Sequence, residues 1–142
     1  MQAEGSTRQA AGVIFEALDF IYSPAADVAA EVEEFEQKLG ARVVFAIDAM
    51  ETRVAMVELA EGPPHLLLAG HLDGERPVLV YRVAELDAAI RALRKRGWKK
   101  GQMVELPMGP ACVFHTAGGH RLGIYERSRP GVVEHFAGRR DF

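Results

Sequence analysis

Val78-Leu79-Val80-Tyr81-Arg82-Val83-Ala84-Glu85-Leu86-Asp87-Ala88-Ala89-Ile90 decides the fold. Its first part is rich in β-branched and aromatic residues and reads as a strand, Pro77 to Val83. The pattern then changes period. Leu86, Ile90 and Leu93 recur on one side of a helix from Leu86 to Arg96, with arginines and a lysine on the other side. Gly97 stands where a helix ends. Lys100–Leu106, Ala111–His115 and Arg121–Glu126 follow as strands, the last two joined by the turn Ala117-Gly118-Gly119-His120. Working back toward the N-terminus, the same order recurs. Val13–Tyr22 reads as a strand, broken by Ser23-Pro24. Ala25–Leu39 reads as a helix with Val28, Val32, Phe35 and Leu39 on one face, closed by Gly40. Arg42–Ile47, Arg53–Leu59 and His65–Ala69 read as three strands. Tyr22 and Tyr81 lie 59 residues apart and Gly40 and Gly97 lie 57 apart, so the chain is βαβββ twice over. The expected class is α+β: a first module over 13–71, a second over 77–127, a lead-in over 1–12 and a C-terminal arm over 128–142. The arm carries one or two helical turns around Val132–Phe136. One module cannot bury both faces of its sheet, so the two pack as one domain and share a cleft.

Bulk properties agree. The 142 residues are 49% hydrophobic and 26% charged, an ordinary globular composition. A net charge of −3 is small and of the wrong sign for a nucleic-acid binder. The run Arg91, Arg94, Lys95, Arg96, Lys99 and Lys100 beside Trp98 therefore reads as a solvated helix face. One cysteine, Cys112, excludes an intrachain disulfide and a cysteine-rich zinc site, and fits a reducing compartment. Within an apolar strand it reads as a buried structural thiol. No apolar run approaches roughly 18 residues, and Met1–Gly12 lacks the apolar core of a secretory signal. A cytoplasmic protein with no membrane and no nucleic-acid partner is expected.

The doubled βαβββ unit resembles the vicinal oxygen chelate superfamily, which includes glyoxalase I, extradiol dioxygenases and fosfomycin- and bleomycin-resistance proteins. The resemblance spans about Phe15 to Arg127. It rests on Tyr81–Ile90 as the strand-to-helix entry, Thr116–Glu126 as the final hairpin, and Phe35-Glu36-Gln37-Lys38-Leu39-Gly40 as the end of the first helix. It implies two half-barrels around a ligand cleft, and in many members a divalent metal held by a histidine and a glutamate from each module. Here the implied metal positions fall near Leu18, within Leu66–Leu68, on Val78 and on Gly123. Val78 and Gly123 have no donor, so neither a metal nor another cofactor is expected.

Alternation along the strands points Leu18, Phe20 and Tyr22, then Val78, Val80 and Arg82, then Arg121, Gly123 and Tyr125 into the cleft. Phe20, Tyr22, Val78, Val80, Arg82, Arg121, Gly123 and Tyr125 are the expected ligand-binding residues. They form an apolar, aromatic cleft with a few polar tips, suited to a planar or amphipathic organic molecule. Phe20 and Tyr22 equally well fill a core, and a slip of one residue reverses every face. Arg53 reads as a strand-end charge, and Glu58 as a base or an outward polar group. His65 and His71, six residues apart on a strand, would lie about 20 Å apart and share no ion. Gly118-Gly119 reads as a turn, and His120 as a turn residue bonding backbone.

Three functions follow. The first is metal-free binding of a small organic ligand, in the manner of bleomycin-resistance proteins. The alternative is a metal-dependent lyase, isomerase or dioxygenase with nonstandard ligands among Asp19, Glu58, His65 and His115. The third is a metal-free catalyst using Tyr22, Glu58 or His115. The arm covers the cleft of its own chain or crosses to a second subunit, and a homodimer is expected.

Overall fold

A computed structural model describes residues 14–49 and 51–142. The expected lead-in over 1–12 and the start of the first strand at Val13 lie outside the described residues. The first module comprises β1 (Ala17–Pro24), α1 (Val28–Leu39), β2 (Arg42–Ala49), β3 (Thr52–Glu58) and β4 (His65–Ala69). The second comprises β5 (Val78–Val83), α2 (Leu86–Lys95), β6 (Gln102–Leu106), β7 (Gly109–His115) and β8 (Arg121–Glu126). A short α3 (Val132–Phe136) lies in the C-terminal arm.

All eight strands join one curled sheet in the order β2-β3-β4-β1-β5-β8-β7-β6. In each module the first strand pairs in parallel with the last, β1 with β4 and β5 with β8. Antiparallel pairing of β1 with β5 joins the two halves. The doubled pattern of the sequence thus becomes a doubled half-sheet with a seam at its centre.

The helices cover the outer face. The N-terminus of α1 is capped by Asp27, whose Oδ1 accepts from Ala30 N at 3.1 Å. Gly40, at φ 71°, supplies the left-handed closing residue. Val28 and Val32 of α1 pack on Ala46, Ala55 and Leu68. Leu86, Ala89, Ile90 and Leu93 of α2 pack on Cys112, Phe114 and Ile124, so Cys112 is a buried thiol. Leu39, expected on the buried face of α1, is 56% exposed: it is the last helical residue and reaches past the sheet. The strand β1 runs on through Ser23-Pro24, read from sequence as a break, because a proline is tolerated at a strand end, where Pro24 stands opposite Ala69.

The inner, concave face holds the largest core cluster, including Phe20, Tyr22, Phe45, Met56, Leu67, Val78, Val80 and Tyr125. The arm folds over this face within its own chain. Val132, Val133 and Phe136 pack on the cluster, and the Phe136 ring lies 5.8 Å from that of Phe45. Beyond α3 the chain runs along the free edge of β2. Gly138 N donates to Val44 O (2.7 Å), Ala46 N to Arg139 O (2.8 Å) and Asp141 N to Ala46 O (2.7 Å). These bonds cover an edge that would otherwise present unpaired backbone groups. Among the described residues no helix is long and apolar enough to cross a membrane.

Candidate ligand-binding site

The concave face carries two separate cavities, and the residues expected to share one cleft divide between them. The larger, about 330 Å³, lies on the second module. Tyr22, Val78, Val80, Arg121 and Gly123 line it, with Leu72, Val104, Leu106, Ala111 and Val113 completing an apolar wall. The smaller, about 260 Å³, lies where the arm crosses the seam. Phe20, Arg82 and Tyr125 line it, together with Asp19, His65 and Arg127.

One irregularity changes which residues of β1 face the concave side. The pairing of β1 with β5 shifts between Leu18 and Phe20, leaving Asp19 as an extra residue in a bulge. Leu18 therefore stands opposite Tyr81, whereas Phe20 stands opposite Val80 and Tyr22 opposite Val78. Simple alternation put Leu18 in the cleft. The bulge removes it and brings Asp19 to the smaller cavity. Asp19 is only 8% exposed, and its Oδ2 accepts from the Tyr125 hydroxyl at 2.6 Å and lies 3.4 Å from Arg82 Nη1. Sequence reasoning reached Asp19 only as a candidate nonstandard metal ligand. An isolated aspartate between Leu18 and Phe20 was the available signal.

In the larger cavity, Gly123 matters because it lacks a side chain. A Cβ there would lie 3.3 Å from Val78 Cγ1 and 3.6 Å from Val80 Cγ2, so glycine keeps the floor open. The polar rim comprises Gln102, Glu105, Arg121, Asp73 and the Tyr22–His71 pair. The Tyr22 hydroxyl lies 3.3 Å from His71 Nε2, and His71 Nδ1 lies 3.3 Å from Thr52 Oγ1. Arg121 was expected as a polar tip. Its Nη1 instead donates to the carbonyls of Asp73 (2.7 Å) and Arg76 (2.8 Å), so it fastens the segment between the modules.

Burial pushes the Tyr22 phenol up to about 12. The Tyr125 phenol is raised by burial first, then by its hydrogen bond to Asp19 and the Asp19 charge, against the lowering influence of Arg82 and Arg127. Both groups hold their protons more tightly folded than unfolded. The stability this gives is complete below the ordinary tyrosine value of about 10 and is lost as pH rises through the folded values. Ultraviolet titration is expected to place the Tyr22 phenolate midpoint near pH 12 while the chain stays folded. Tyr22→Phe is expected to delay alkaline unfolding. An unchanged alkaline midpoint would contradict this.

The other expected residues lie apart from the larger cavity. Glu58 bonds Arg42, with Oε1 2.6 Å from Nη2. Its Oε2 lies 3.2 Å from His65 Nδ1 but off the line of a hydrogen bond, so that buried ring nitrogen has no bonded partner. Arg53 pairs with Asp48 and lies over the Phe142 ring. His115 is exposed at the end of β7 and lines neither cavity. The nonstandard set Asp19, Glu58, His65 and His115 is therefore not brought together, because His115 ends a strand on the far half of the sheet. Among the described residues no three His, Cys, Asp or Glu side chains are grouped to hold a metal ion. Phe20, Val78, Val80 and Gly123, near the seam of the concave face, carry no side-chain donor.

No family model matches the chain, and no curated protein matches it in sequence. Solved structures do match in fold. Methylmalonyl-CoA epimerase from Mycobacterium tuberculosis has a TM-score of 0.69 at 21% identity, covering 82% of this chain and 91% of that one. A hypothetical protein from Bacillus halodurans has a TM-score of 0.67 at 15% identity, covering 80% and 95%. A Streptomyces coelicolor methylmalonyl-CoA epimerase variant in complex with 2-nitronate-propionyl-CoA has a TM-score of 0.65 at 19% identity, covering 81% and 96%. At these identities the likeness is one of fold, and the chain has the doubled βαβββ, curled-sheet fold of the vicinal oxygen chelate proteins.

Proposed function

We propose that the protein binds a small planar or amphipathic organic molecule in the larger cavity, without a metal. The supporting observation is the cavity itself: about 330 Å³, walled by Val78, Val80, Val104, Ala111 and Val113, floored by Gly123 and rimmed by a few polar groups. Ligand pockets run from about 300 to 1,000 Å³ and share this apolar wall with sparse polar tips. The apolar wall supplies affinity by removing ligand surface from water. The Tyr22–His71 pair, Gln102 and Glu105 supply direction. The reading includes a homodimer in the cytoplasm.

Indole, planar with one N–H donor, is the probe. Val104 is partly buried on the edge strand β6, so Val104→Trp fills the cavity from its rim with little strain on the sheet. Indole binding by calorimetry is expected to weaken at least about tenfold in Val104→Trp, the loss of an apolar contact area worth more than about 1.4 kcal/mol. Equal affinity in the two proteins would sink the assignment. The solved relatives with CoA esters bound make a short acyl group the alternative occupant. Methylmalonyl-CoA binding that Val104→Trp abolishes, with indole not binding at all, would favour that enzyme-like reading.

A further inference from the structure

We propose that the smaller cavity is a second ligand site, independent of the first, and that it takes a small hydroxycarboxylic acid. Asp19, Arg127 and an apolar wall border one open cavity of about 260 Å³. At the inner end stands the Asp19 carboxylate. Tyr125 and Arg82 both engage Oδ2, while Oδ1 takes no hydrogen bond from any described residue. A buried carboxylate held by one oxygen leaves the other as a fixed acceptor, which suits a hydroxyl donor on a ligand. At the outer end stands Arg127. It lines the cavity and acts electrostatically on the Tyr125 phenol. It makes no ion pair or side-chain hydrogen bond with any described residue.

The neighbouring cations are occupied, which singles Arg127 out. Arg82 is shared between Asp19 and Glu16. Arg129 spends its fork on Glu105 Oε2 (2.8 Å) and the Leu106 carbonyl (2.9 Å). A guanidinium with all its donors free is built for two-point capture of a carboxylate. The apolar part of the wall is Phe20 from β1, Met108 from the turn between β6 and β7, and Val132 and Val133 from the arm, with His65, Arg129 and Glu134 also on the lining. A molecule with a hydroxyl at one end, a carboxylate at the other and a hydrocarbon body between them matches this order. The arm forms part of the wall, so the site exists only with α3 docked.

4-Hydroxyphenylacetate carries the hydroxyl and the carboxylate at opposite ends of a ring and is the probe. Phenylacetate lacks the hydroxyl and 4-hydroxyphenylacetamide lacks the charge. Calorimetry on the full chain is expected to show saturable 4-hydroxyphenylacetate binding, with phenylacetate and 4-hydroxyphenylacetamide each about tenfold or more weaker. Arg127→Ala changes an exposed residue with no ion pair or side-chain hydrogen bond to any described residue. It is expected to weaken 4-hydroxyphenylacetate about tenfold and leave 4-hydroxyphenylacetamide unchanged. Val104→Trp, which fills the other cavity, is expected to leave 4-hydroxyphenylacetate binding intact. No saturable 4-hydroxyphenylacetate binding, equal binding of phenylacetate, or indifference to Arg127→Ala would each overturn the proposal. Loss of 4-hydroxyphenylacetate binding in Val104→Trp would place it in the larger cavity and overturn the second site alone.

Discussion

Phe45→Ala is expected to destabilise the protein by about 3–5 kcal/mol, the range for deleting a buried phenylalanine ring. Phe45 is 1% exposed in the concave core. Its ring faces Phe136 of the arm at 5.8 Å, and its neighbour Val44 accepts from Gly138 N. One side chain therefore helps hold both the first half-sheet and the arm that lies over it. Removing the ring leaves a void on the sheet and withdraws a docking partner of α3. Urea denaturation is expected to give a lower midpoint, and limited proteolysis is expected to begin in the arm. A change under about 1 kcal/mol would mean that the arm holds without this contact.

Asp19→Ala is expected to cost about 3 kcal/mol. The substitution leaves the Tyr125 hydroxyl buried without its acceptor and leaves Arg82 with Glu16 alone. Arg82 is partly exposed, so water recovers some of its loss. Tyr125→Phe removes one donor and keeps the Asp19–Arg82 pair, so its cost is about 1 kcal/mol. In the double variant the Tyr125 penalty has already been incurred, and the combined cost is expected to fall short of the sum by roughly 1 kcal/mol. Strict additivity would show that the two groups do not act on each other.

The repeat was legible because its signals are local. Val28 and Val32 against Leu86, Ile90 and Leu93 mark two amphipathic helices; Gly40 closes the first directly, and Gly97 follows the Arg96 that closes the second. The strands β4 and β8 have the expected bounds for the same reason: each is a short apolar run between turn residues. The site was legible only in part. Phe20, Tyr22, Val78, Val80 and Tyr125 do face the concave side, since alternation within a regular strand survives folding. The bulge at Asp19 is not written in any local pattern. It arises where β1 must pair with β4 and β5 at once. One extra residue moved Leu18 out and Asp19 in. The role of Arg121 was hidden for a different reason, because its partners are backbone carbonyls 45 and 48 residues away. Docking of the arm depends on Phe45 and the β2 edge, contacts that span most of the chain and leave no periodic trace.

The fold likeness to CoA-ester epimerases and the apolar centre of this concave face pull toward different chemistry. Fold alone does not decide between them, because function lies in the side chains a fold presents. The most direct test is indole binding followed by the methyl resonances of Val78, Val80, Val104 and Val113, recorded with excess EDTA present. The account requires saturable shifts at these four valines that are the same with and without the chelator. Binding that disappears with EDTA and returns with added zinc or manganese, or shifts that leave these valines untouched, would contradict it.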